Sequence, residues 1–241
     1  NGSIAGAEFN VAVGNSTLDA LTSGDKNTCV GYQAGTDINT ANDNTIMGYN
    51  AGPNITGGSQ SVYIGRDAGA TCTTGEFNVI VGSNSDTDGT DTDRANVFGR
   101  GLTGAGGYTT VGYSASDIRA AHGNITWATV SDERFKKNIE TSNAGLAVIN
   151  DLRPVTYNWK TLGEIPEWSR WHEEGSNEQY KNSKLNHGFI AQEVKAVIDS
   201  HSELKDGFTM WDKRSDGQQE VGETAIVPIL VKAVQELSAT V

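Results

Sequence analysis

Seven glycines constrain most of what the first half of this chain can become. Gly14, Gly31, Gly48, Gly65, Gly82 and Gly99 stand 17 residues apart, and Gly112 follows after 13. The residue before each of the seven is apolar. Short segments lead into them: Asn10-Val11-Ala12-Val13, Asn27-Thr28-Cys29-Val30, Asn44-Thr45-Ile46-Met47, Ser61-Val62-Tyr63-Ile64 and Asn78-Val79-Ile80-Val81. A second small motif comes after the glycine, as in Tyr32-Gln33-Ala34-Gly35, Tyr49-Asn50-Ala51-Gly52 and Arg66-Asp67-Ala68-Gly69. β-favouring residues that end at glycine read as a short strand that turns sharply. The second turn, at Ala-Gly, predicts two short strands per repeat. A unit this small cannot bury an apolar face alone, so neighbours must stack. The result is a β-solenoid or β-roll, or three chains intertwined. Leucine and phenylalanine are scarce here, which favours three chains sharing an axis. A flexible Gly-rich linker would keep neither the period nor the apolar phase.

Composition divides the chain near residue 130. Residues 1–130 hold 22 of the 29 Gly and one Trp, whereas 131–241 hold four Trp. Net charge is −7 in the first part (5 minus 12) and −5 in the second (13 minus 18), so a phosphate backbone is an unsuitable partner for either. We therefore expect a mostly β repeat shaft over 1–130 and a separate domain over 131–241. No apolar run is long enough to span a bilayer, and no nucleic-acid or membrane partner is expected. Asn1-Gly2-Ser3-Ile4 has no basic or signal-like character and reads as a start inside a longer protein. Cys29 and Cys72 sit at unmatched repeat positions and read as free thiols. Asp86, Asp88, Asp91 and Asp93 alternate in a loop, but the closing Glu of a calcium loop is replaced by Val97, so a solvated acidic loop is expected. His172, His187 and His201 lack ligand spacing, and neither metal nor cofactor is expected.

At the junction the repeat decays, leaving Ile118, Ala121, Ile125, Trp127 and Val130 as apolar anchors. Next comes Ser131-Asp132-Glu133-Arg134-Phe135-Lys136-Lys137-Asn138-Ile139. Taken alone, Ser131 is a helix N-cap, with Asp132 and Glu133 suited to the first turn. Further on, Gly145–Leu152 has the spacing of a short amphipathic helix closed by Arg153-Pro154. Val155–Trp159 alternates like a strand, 160–184 is a polar arm, and Gly188–Val197 reads as a strand running into a helix. Trp211 lies in a β segment before the turn Asp216-Gly217. Thr224–Leu237 is a final helix in which Val227, Leu230, Val234 and Leu237 form a coiled-coil seam.

Four motifs in order resemble one family. Ser131-Asp132-Glu133-Arg134-Phe135-Lys136 through Ile139, Leu152-Arg153-Pro154-Val155-Thr156-Tyr157-Asn158-Trp159, Gly188-Phe189-Ile190-Ala191-Gln192-Glu193-Val194 and the closing Leu230–Leu237 are similar to the endosialidase-type intramolecular chaperones that end phage tail fibres and tailspikes. The upstream repeats resemble the β-roll heads of trimeric surface adhesins and repeats of phage tail fibres. The resemblance implies a homotrimer whose α+β chaperone domain contacts and folds its own β shaft. It also implies autoproteolysis between Val130 and Ser131, with Ser131 as nucleophile, Lys136 as base, and Asp132 and Arg134 in orienting roles. The chain would then be part of a virion tail fibre made in the host cytoplasm, with the released chaperone outside the mature fibre.

The spacing constrains that chemistry. Five residues on a helix set two side chains about 140° apart, so Ser131 and Lys136 cannot meet on one helical face. Ser131 must occupy an extended or bent segment, with Lys136 reaching back from the following element or from a neighbouring chain. The alternatives to a self-cutting chaperone are a non-cleaving structural fibre tip and a receptor-binding adhesin segment. For the last, Tyr32, Tyr49, Tyr63 and Asn50, taken as exposed, would meet a host-surface glycan or receptor. Glycosidase chemistry finds no carboxylate pair in the shaft.

Overall fold

A computed structural model describes residues 6–124, 126–204 and 208–240. The expectations for Asn1-Gly2-Ser3-Ile4 and for Ile125 fall outside the described residues. The chain divides into two compact units, Asn1–Lys136 and Lys137–Val241.

The first unit is a β-solenoid. Its strands are β1 (Val11–Val13), β2 (Thr28–Val30), β3 (Thr45–Met47), β4 (Val62–Ile64), β5 (Val79–Val81), β6 (Asp86–Thr87), β7 (Asn96–Arg100), β8 (Thr103–Gly104), β9 (Tyr108–Tyr113) and β10 (Ser116–Ala121). One 8-stranded sheet runs in the order β1-β2-β3-β4-β5-β7-β9-β10. From β1 to β9 the pairing is parallel, and β9 with β10 closes it as an antiparallel hairpin. The register links Cys29 to Ile46, Ile46 to Tyr63, Tyr63 to Ile80 and Ile80 to Val97, which is the 17-residue period made physical. Gly99 pairs with Gly112, so the early seventh glycine is one short coil.

The repeated glycines are there because adjacent coils touch. Gly48 has φ of +140°, outside what an L side chain readily adopts. A Cβ on it would stand 2.5 Å from the carbonyl oxygen of Gly65 in the next coil. The Ala-Gly segments are turns and not second strands. Gln33, Asn50 and Asp67 hold left-handed backbone there, which curls the chain too tightly for strand geometry. Their coils still stack, with Gly35 N–H donating to Ala51 O at 2.9 Å and Gly52 N–H to Ala68 O at 2.8 Å. Among the described residues, a second strand per coil forms only where β6 pairs β8.

Each chain builds its own core, so it is the solenoid and not the intertwined alternative that forms. Cys29, Ile46, Tyr63, Ile80 and Val97 stack in one inner column, Ala34, Ala51 and Ala68 in another, and Leu21, Ile38 and Ile55 in a third. Alanine in one column keeps the bore narrow, which is why few large apolar residues suffice. Tyr63 is fully buried, which corrects the expectation that it faces a glycan; Tyr32 and Tyr49 do face outward, stacked with centroids 5.4 Å apart. Asn27, Asn44 and Asn78 are buried as well. Asn44 N–H donates to Asn27 Oδ1 at 3.1 Å, and Asn44 Nδ2 donates to Gly58 O at 2.9 Å. Ser61 continues the ladder between Asn44 and Asn78. Every amide is thus satisfied by the neighbouring coil, as buried polar groups require. Burial pushes the Cys29 thiol up to about 12 and Cys72 up to about 11, leaving both inert as free thiols.

The second unit is α+β. It contains α1 (Leu146–Asp151), β11 (Val155–Tyr157), β12 (Asn186–Gly188), α2 (Ala191–Ser200), β13 (Trp211–Lys213), β14 (Gln219–Val221) and α3 (Val227–Ala239). β11 pairs β12 and β13 pairs β14, both antiparallel. The polar arm doubles back, with Leu162 N–H bonded to Glu178 O and Tyr180 N–H to Lys160 O. Ala144, Val148, Leu204 and Ile229 form the core. Glu236 on α3 accepts the Leu146 N–H at 2.8 Å, capping α1 across the packing interface. Ile229 and Ala233 are the buried face of α3, so the seam Val227, Leu230, Val234 and Leu237 points away from its own unit and is exposed.

Replacing Gly48 by Ala should lower stability by about 3 kcal/mol or more, through strain and the clash with Gly65. Gly57→Ala, with no positive φ and only Thr74 Cγ2 at 4.0 Å, should stay within about 0.5 kcal/mol. Chemical denaturation of the two variants reads the difference. In the second unit, hydrogen bonds to Asp151 and then Glu203 raise the pKa of His201 above its ordinary 6.5. The protonated imidazole therefore stabilises the fold fully below pH 6.5, and this contribution is lost as pH rises through the elevated value. His201→Asn should flatten that part of the stability–pH curve.

Candidate functional site

The approach to Ser131 is anchored to the end of the solenoid. Arg119 N–H donates to Ala128 O and Ala128 N–H to Arg119 O, each at 2.8 Å, a short antiparallel bridge onto β10. Thr129 Oγ1 adds a bond to Asp117 O at 3.0 Å. The bridge ends there, and Val130 leads into Ser131 with no regular structure.

A single 3-10 turn, Glu133–Phe135, follows. Its N-cap is Asp132 and not Ser131, which corrects the capping expectation: Asp132 Oδ1 accepts the Arg134 N–H at 2.9 Å. Arg134 also folds its guanidinium onto the same carboxylate, with Nε 3.0 Å from each oxygen. The clamp satisfies Asp132 twice over and leaves Ser131 outside the turn, its hydroxyl not spent on capping. Arg134 in turn holds the Asp132 carboxyl below its ordinary 3.8.

Lys136 leaves the turn in extended geometry, with φ −115° and ψ 151°. Its side chain reaches back, and Nζ donates to Ser131 Oγ at 2.7 Å. The structure therefore brings Ser131 and Lys136 together across one turn, with Asp132 and Arg134 forming the turn's staple. Val130 is the residue on the far side of the bond in question.

The setting is open. Ser131, Lys136 and Arg134 are exposed, and so are the apolar side chains beside them: Trp127 is 53% exposed, Val130 61% and Phe135 78%.

Among the described residues no group of His, Cys, Asp and Glu could hold a metal ion. Three of the four aspartates of the acidic loop accept hydrogen bonds, from Thr92 Oγ1 to Asp88 Oδ1 within the loop and from the neighbouring coil's Glu76 N–H to Asp93 Oδ1 and Thr71 N–H to Asp86 Oδ2. His172 Nδ1 sits 2.9 Å from Ile165 O, and His187 lies within β12. Among the described residues, no helix is long and apolar enough to cross a membrane. Sequence reasoning missed an open cleft of about 1090 Å³ in the second unit, lined by Tyr157, Trp159, Trp171 and Tyr180 among others. The concentration of tryptophan after residue 131 was its only trace in the sequence.

Residues 131–203 match the family described as chaperone of endosialidase, which also carries a peptidase name. That part of the chain is an endosialidase-type chaperone domain, and a β-solenoid precedes it. No curated protein and no solved structure matches the chain. The match opens at Ser131, the residue that the Lys136 side chain reaches back to. Carbon-detected NMR titration should place the Asp132 carboxyl below 3.8, and Arg134→Gln should return it toward that value.

Proposed function

We propose that the chain is part of a phage tail fibre or tailspike whose chaperone domain drives trimerisation and folding of the β shaft and is then cut free between Val130 and Ser131. The observation that carries this reading is the 2.7 Å contact between Lys136 Nζ and Ser131 Oγ at the first residue of a chaperone-of-endosialidase domain.

The chemistry is an intramolecular acyl shift. Lys136, once deprotonated, takes the proton of Ser131 Oγ, which attacks the Val130 carbonyl carbon. The new C–O bond forms, the C–N bond breaks, and the proton passes to the departing Ser131 amine. Water then hydrolyses the ester, leaving a Val130 carboxylate and the Ser131 hydroxyl. Asp132 and Arg134 are positioning residues: the clamp between them makes the turn that returns Lys136 to Ser131.

A lysine works as a base near neutral pH only when burial or nearby cations disfavour its protonated form. In the single chain this site is open to water, with Trp127, Val130 and Phe135 uncovered beside it. Assembly supplies the cover, so cutting follows folding and association. The outward seam of α3 supports the same reading, because Val227, Leu230, Val234 and Leu237 have a spacing that suits helix self-association. The released shaft remains in the virion, and the stacked Tyr32 and Tyr49 suit contact with a host-surface glycan.

Intact mass of the denatured protein tests the cut. Wild type should give two fragments meeting at Val130–Ser131, and Ser131→Ala should stay whole. Lys136→Ala should slow cutting by about 10²–10⁴-fold, the usual worth of a general base. Lys136→Arg keeps the charge but cannot lose its proton, so it should be equally slow. An uncut wild type would favour the alternative, a structural tip that is retained.

A further inference from the structure

The solenoid carries a second apolar column that its own core does not use. Each three-residue strand turns its middle side chain inward and its two flanking ones outward. The outward position before each glycine is Val13, Val30, Met47, Ile64, Val81 and Phe98, aligned rung to rung by the sheet register. Val111 and then Ile118 extend the column across β9 and β10. At the usual strand spacing, eight strands make a ladder about 33 Å long. Val13, Met47, Phe98, Val111 and Ile118 are exposed, and Val30, Ile64 and Val81 half-buried.

We infer that this ladder is the face through which copies of the shaft pack against one another, rung on rung. The inference rests on the assembling-fibre reading above and names the surface that reading needs. Two observations select a second copy of this chain as the occupant. The first is charge. Residues 1–130 carry −7 (5 minus 12), so identical shafts repel wherever their acidic surfaces meet. Strands β1 to β5 contain no charged residue, which leaves these five rungs as a neutral strip on an acidic body; Arg100, Asp117 and Arg119 enter the sheet only in β7 and β10. The second is spacing. The apolar groups repeat with the rise of one coil over the whole sheet, and a partner meets all of them only if it presents apolar groups at the same rise. Another copy in parallel does so at every rung, and closed symmetric assemblies are the common outcome of such self-matching faces. The column also explains why the residue before glycine stays apolar although it faces away from the core: a purely solvated position would tolerate Thr or Lys.

Cysteine cross-linking in the full chain tests the inference. Met47→Cys, and two rungs on Val81→Cys, are placed singly in a Ser131→Ala background so that the chain stays whole. Thr40→Cys, exposed on a turn away from the sheet, is the control. The buried native Cys29 and Cys72 contribute no background. Under mild oxidation most of the Met47→Cys and Val81→Cys protein should run as disulfide-linked pairs, with Thr40→Cys at least tenfold lower. Adding Ile64→Glu should abolish linking through Met47→Cys while leaving the far-ultraviolet dichroism unchanged, since Ile64 lies outside the core. Linking of the ladder cysteines at the level of Thr40→Cys overturns the inference. The Val130–Ser131 cut is read separately in wild type: cutting without ladder linking sinks this interface alone, and ladder linking without cutting sinks the autoproteolytic reading alone.

Discussion

The close approach of one coil to the next is what the rest of the first unit depends on. Glycine carbonyls sit where a Cβ would otherwise be, so successive coils can settle at strand spacing. Once they do, the buried asparagines bond from coil to coil, the alanine column closes the bore, and the central strand residues stack. None of these gains is available to a single coil. Nucleating such a stack is costly, because the first coil fixes its backbone before any neighbour rewards it. A chain of this design benefits from a device that brings coils into register, and a chaperone domain directly downstream is suited to that work.

The candidate site has the opposite character. It is local, held by one carboxylate–guanidinium clamp and one turn. On the reading proposed above, its open setting is what ties the cut to assembly, since Trp127, Val130 and Phe135 stand uncovered beside Ser131. On that reading, control of the cut lies in the burial of the surroundings and not in the contact between Ser131 and Lys136.

The glycine period was legible because it reflects a hard steric contact, and it gave the coil length, the short coil before Gly112 and the solenoid itself. The direction of the side chains was not legible. In a three-residue strand only the centre points inward, so the apolar residue before each glycine looks like core and is surface, while Asn27 and Asn44 look like surface and are core. The same inversion put Tyr63 on the outside, and the scarcity of Leu and Phe suggested too thin a core for one chain because the narrow bore set by the alanine column was not legible either. In the second part the elements followed their local patterns closely, since α1 and α3 have helical spacing and proline marks at Pro154 and Pro228. At the junction, residue types alone pointed to Ser131 as a cap; the capping is done by Asp132, because the turn is 3-10 and starts one residue later.

Refolding over a range of protein concentrations is the most direct measurement of the central claim, that the site is completed by assembly. Denatured uncut chain would be diluted into native buffer, and the fragment beginning at Ser131 followed alongside the native mass of the assembly. The account predicts that the fragment appears only after the trimer does, at a rate that rises with concentration. Cutting at an unchanged rate under dilutions where the chain stays monomeric would contradict it.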